Sequence, residues 1–130
     1  MATFENVGLA LQLVNNFHGL VRDMRDNANG YKAAIEAGHG LAEIRAAMLA
    51  DADQYLIRVE WVADMVSRNL GGVKAALSAL GLAISEANSL QNTLAKVSSH
   101  MKAAALDTSA NIHGEADYIL ATVPDFERIF

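Results

Sequence analysis

The sequence predicts an all-α fold, an antiparallel helical bundle built on a long helix hairpin, and three features carry that expectation. Between about 41 and 70, Leu41, Ile44, Met48, Ala52, Tyr55, Val59, Val62, Val66 and Leu70 recur at steps of three and four, which gathers them on one helix face. Between about 73 and 105 the rhythm returns in Val73, Leu77, Leu80, Ile84, Ala87, Leu90, Leu94, Val97, Met101 and Ala104. Neither stretch alternates apolar with polar residues as a half-buried strand would. Between them stands Gly71-Gly72, which either turns the chain or, at roughly 2 kcal/mol for two interior glycines, lies inside one rod of roughly 95 Å. A turn is the expected reading, giving two arms of about 45 Å each.

The chain of 130 residues has room for one core and reads as a single domain, 1–130, with a docking tail at 124–130. Charged residues make up 19%, below the usual quarter, and much of the 52% apolar share is alanine, so close Ala-lined helix contacts are expected. The net charge of −5 and the scatter of the ten basic residues argue against a nucleic-acid partner. Without cysteine there can be no disulfide, thiolate metal site or cysteine nucleophile. Glu5 and the lack of a basic region before an apolar core predict no signal peptide. Leu77 to Ser85, the most lipid-like run, is far shorter than the ~20 residues of a membrane span.

In chain order, Thr3 is a candidate N-cap for a helix over about 4–28. Val7, Ala10, Leu11, Val14, Phe17, Val21, Met24 and Ala28 form its stripe, widened by Leu13 and Leu20. Asn27-Ala28-Asn29-Gly30 supplies residues that tolerate the left-handed conformation, so a first break is expected there. A short helix over 31–37 and a hinge at Gly38-His39-Gly40 follow. Beyond Asp107 short elements are expected. Tyr118 to Val123 fits a helix end or an extended segment, and Pro124 biases Val123 toward extended backbone.

No catalytic, cofactor or metal constellation emerges. His18, His39, His100 and His113 never stand at i,i+3 or i,i+4, so none forms a local chelate. Glu36 and His39 spell Glu-x-x-His, but a di-iron bundle needs a second such unit and two further glutamates, so His39 reads as a hinge residue. His113-Gly-Glu115 lacks the Pro-Cys-x-x-Cys partner of zinc deaminases and reads as a loop histidine. No Gly-x-Ser-x-Gly elbow occurs, and Asp51 and Asp53 point to different faces of their helix.

The second arm is unusual. Between Val73 and Leu106 the charged residues are Lys74, Glu86, Lys96 and Lys102 alone, fewer than a solvated helix normally carries. Its small polar face suggests contact with another chain. The interface candidates are Ser78, Gly81, Ser85, Asn92 and Ser99 on this arm, Trp61 on the first, and Phe126, Ile129 and Phe130 in the tail. The expected role is a non-enzymatic structural or assembly subunit that oligomerises or packs into a larger particle, of the kind found in bacteriophage virions. The alternative is a helical binding module taking a small apolar ligand or partner helix between Met24, Met48, Met65 and Met101.

Overall fold

The computed structural model describes residues 4–68, 74–75, 78 and 84–123, and among them there are helices and no strand. Four helices are numbered here in chain order: α1 (Phe4–Glu36), α2 (Leu41–Arg68), α3 (Ile84–Leu106) and α4 (Ile112–Thr122). Each packs on two others: α2 on α1 and α3, and α4 on α1 and α3, with α2 against α3 the most extensive contact. Side-chain pairs give the directions. Along α1 and α2, Tyr31 meets Asp51, Asn27 meets Tyr55 and Asp23 meets Arg58, so rising numbers on one match falling numbers on the other. Asp53 meets Lys102 and Arg45 meets Thr108, and His113 and Asp117 meet Glu36 and Lys32. These neighbours are therefore antiparallel.

The expected bundle and its hairpin are present. Because α2 and α3 run side by side in opposite directions, the chain reverses between Arg68 and Ile84, and a single long rod is excluded. Gly71-Gly72 itself lies outside the described residues, as do Gly81 and the tail 124–130. Lys74, Ala75 and Ser78, within the expected span of the second arm, are helical.

The core is made by the three-four stripes. On α3, Ala87, Leu90, Leu94, Val97, Met101 and Ala104 are all buried as the spacing predicts, and so are Ile44, Met48, Ala52, Tyr55, Val59 and Val62 on α2. Two expectations fail at stripe edges. Leu41, the first residue of α2, is 47% exposed, and Leu11 is 45% exposed while Leu13 and Leu20, expected only to widen the stripe, are fully buried. The buried face of α1 runs through Ala10, Leu13, Phe17, Leu20, Val21, Met24, Ala28 and Tyr31, which turns Leu11 outward.

The first helix does not break at Asn27–Gly30 but continues to Glu36. Ala28 and Tyr31 extend the stripe beyond Met24 and are buried, and Asn27 donates its amide N–H to the Tyr55 hydroxyl. Tertiary packing thus outweighs the local preference for a C-cap. Gly30 is helical, with open space where a Cβ would stand. The true stop is a Schellman motif at the expected hinge. Gly38 N–H donates to Ile35 O (3.0 Å) and His39 N–H to Ala34 O (3.0 Å), with Gly38 at φ +84°.

The C-terminal element is also more regular than expected. α4 runs straight through Gly114, because Asn111 caps it: the Asn111 side chain accepts Gly114 N–H at 3.0 Å, and a Cβ on Gly114 would lie 3.3 Å from Asn111 Cγ. Val123 after it is extended (ψ 118°), as the following proline requires.

Two glycines give opposite expected outcomes in urea denaturation. Gly30→Ala should stabilise the protein by up to about 1 kcal/mol, since a helical glycine is replaced in open space. Gly38→Ala should destabilise it by about 1–2 kcal/mol, because its backbone is left-handed. Stabilisation by both substitutions would contradict the helix end placed at Glu36. Met101→Ala, on the fully buried face of α3, should cost about 2–5 kcal/mol.

Candidate functional site

α3 is fixed from both sides, which determines the face it leaves free. Toward α2, Lys102 pairs with Asp53 at 2.9 Å. Toward α4, His100 Nδ1 and Glu115 Oε1 share a hydrogen bond of 2.6 Å, while the His100 and Tyr118 rings lie 4.3 Å apart between centroids, tilted by 35°. Glu115 is buried, so its carboxylate relies on this contact. Ser98, buried in the core, returns its hydroxyl to Leu94 O at 2.7 Å and needs no partner from another helix.

Opposite the buried line through Leu94 and Met101 lies an exposed one. Ser85, Asn92, Ser99 and Ala103 run along it, flanked by Asn88, Ser89 and Lys96, and it ends at Leu106, which is 64% exposed. A shallow groove of about 580 Å³ follows its first half, lined by Ser85, Asn88, Ser89, Asn92, Thr93 and Lys96. The interface candidates Ser85, Asn92 and Ser99 thus share one face. Ser78 is helical and exposed. Trp61 is elsewhere: 44% exposed, one turn beyond the α1-facing Arg58 on α2 and beside Ile57, which is 67% exposed. Gly81, Phe126, Ile129 and Phe130 lie outside the described residues.

Polar contacts with no local sequence signal hold this framework. Tyr31 donates its hydroxyl to Asp51 Oδ2, Tyr55 donates to Asp23 O (3.3 Å), and Arg58 Nη1 donates to Asp23 Oδ2 (2.8 Å). Burial, reinforced by the Asp51 carboxylate, pushes the Tyr31 hydroxyl far above the ordinary tyrosine range, and burial raises Tyr55 to about 12. Arg45 Nη2 donates to Thr108 O (2.7 Å) and Arg25 Nη1 to Leu120 O and Val123 O (3.1 and 2.8 Å), pinning the α3–α4 connection and the end of α4. Lys32 Nζ, 2.7 Å from Asp117, holds that carboxyl below the usual range. Hydrogen bonds from the Ser109 hydroxyl and N–H do the same for Asp107.

The chemistry open to these groups is limited. His113 faces Glu36 through Nε2 (3.8 Å) and Asp117 through Nδ1 (3.4 Å), so the two carboxylates address different ring nitrogens and cannot share one ion on a single imidazole nitrogen. Among the described residues no group of three His, Asp or Glu side chains could hold a metal ion, and no helix is long and apolar enough to cross a membrane. His113 is helical, in the first turn of α4, rather than a loop residue. A second groove, of about 300 Å³, opens where α1 turns into α2, lined by Asn27, Gly30, Tyr31, Ala34, His39, Glu43, Ile44 and Ala47. Met24, Met48 and Met101 are fully buried in the core, and Met65 nearly so. Comparison with protein-family models, with curated proteins and with solved structures finds no match.

The two tyrosines set the alkaline response. A hydroxyl whose folded pKa lies above its unfolded value contributes stability in full below pH ~10, and that contribution falls as pH rises toward the folded value. Stability should therefore drop between pH ~10 and 12, and Tyr55→Phe should flatten that drop in urea titrations taken at each pH. An unchanged pH profile in the variant would remove Tyr55 from the linkage.

Proposed function

We propose that this chain is a non-enzymatic structural or assembly subunit that meets other subunits through the outward face of α3. The observation that carries this reading is the line from Ser85 to Ser99: exposed, almost free of charge, and lying opposite a fully packed core line. A helix face left to water alone normally bears charge, as the outer face of α2 does with the exposed Glu43 and Glu60. Small hydroxyl and amide side chains let a second backbone approach closely and can be satisfied by hydrogen bonds on arrival. A bacteriophage virion or its assembly machinery is a setting in which such subunits occur.

One observation favours a second reading, a binding module. The 300 Å³ groove at the α1–α2 turn combines the apolar floor of Ala34, Ile44 and Ala47 with the polar His39 and Glu43, as small-molecule sites do. The methionines proposed to line a ligand site do not border it.

Light scattering on the purified chain and on its native particle separates the two. Asn92→Arg places a bulky charge at the centre of the α3 face and should weaken subunit association at least tenfold, leaving helix content by circular dichroism unchanged. Undiminished association would sink the assembly reading at this face.

A further inference from the structure

Of the charged side chains on α3, Lys102 is paired with Asp53, whereas Glu86 and Lys96 are exposed and enter no ion pair among the described residues. The two are ten positions apart (86 to 96), roughly 15 Å along the axis and about 80° round it, so they cannot meet within one helix yet share a flank. The 580 Å³ groove occupies the same stretch, from Ser85 to Lys96.

We propose that the occupant of this face is a second copy of the same chain, laid antiparallel across a twofold axis at the level of Gln91. This rests on the reading of α3 as the contact face and adds the partner, its direction and its register. A twofold axis perpendicular to two facing helices pairs residues at equal distances on either side of it. Residue 91 is the midpoint of 86 and 96, so Glu86 of each copy stands opposite Lys96 of the other, twice, on the same side of the contact. A parallel pair in register would instead oppose Glu86 to Glu86 and Lys96 to Lys96, and like charges repel. Charge complementarity therefore selects the antiparallel direction and fixes the register, while the neutral side chains of the groove make the close contact. Across the axis Ser89 of each copy comes to the level of Thr93 of the other, each able to donate and accept.

Sedimentation velocity on the full chain at low and high salt tests this. The wild type should dimerise. Glu86→Lys and Lys96→Glu alone should each weaken the dimer at least tenfold, and the double variant should regain wild-type association, because the swap restores both pairs. Because both residues are exposed, circular dichroism should show all three variants folded. Introduced cysteines report the direction independently, since the chain has none of its own. Asn92→Cys should cross-link to its own copy on mild oxidation, and Ser99→Cys should not, its two copies standing roughly 24 Å apart along an antiparallel pair. Cross-linking through Ser99→Cys, or a double variant as weak as the singles, would overturn the antiparallel pairing. Loss of association in Asn92→Arg together with indifference to both charge changes would overturn the self-pairing and leave the α3 face as a contact for a different chain.

Discussion

The arrangement depends on the register of α1 against α2. Tyr31 on Asp51, Asn27 on Tyr55 and Asp23 on Arg58 form a ladder whose rungs are polar groups at the edge of the core. A slip by one turn would leave buried hydroxyls and a carboxylate without partners, and such orphans cost more than the bonds contribute when made. The ladder therefore specifies one alignment among several that the apolar stripes alone would accept. Once it is set, α2 presents Asp53 to Lys102 on α3, and the second half of α1 presents Arg25 and Lys32 to α4.

Where burial follows a regular period, the sequence is a reliable guide. Every residue of the α3 stripe from Ala87 to Ala104 is inside, because a helix packed between two neighbours must hide a continuous line at three-four spacing. Ser85, Asn92 and Ser99 were legible as a surface line for the same reason, since they fall opposite that stripe. Prediction failed where a local signal competed with packing. Asn27–Gly30 has the composition of a helix end, yet Ala28 and Tyr31 are needed in the core, and the helix passes through. His113 and Gly114, expected in a loop, stand in the first turn of α4, where Gly114 serves the Asn111 cap. The polar contacts could not be seen at all: Tyr31 and Asp51 are 20 positions apart, Asp23 and Arg58 are 35, and no spacing rule links them.

Polar groups on α3 are distributed by duty. Lys102 and His100 turn sideways into Asp53 and Glu115 and hold the helix to its neighbours, while the outward line is left to hydroxyls and amides. A chain with net charge −5 keeps its acidic groups mainly on α1, α2 and α4, so a second molecule approaching α3 meets the least repulsive side of the bundle.

The hold of Arg25 on the carbonyls of Leu120 and Val123 bears on the order in which the bundle assembles. These partners lie 95 and 98 positions apart, whereas α1 with α2 forms across the short 37–40 connection. An isolated helix of eleven residues is below the ~12–15 at which helices become even marginally stable in water, so α4 acquires its helical form only on a surface that α1 and α3 have already built. Its helical form thus rests on the packed bundle rather than on its own length. Its backbone amides should exchange with solvent ahead of those at the centre of α3, each opening releasing the Leu120 and Val123 carbonyls from Arg25.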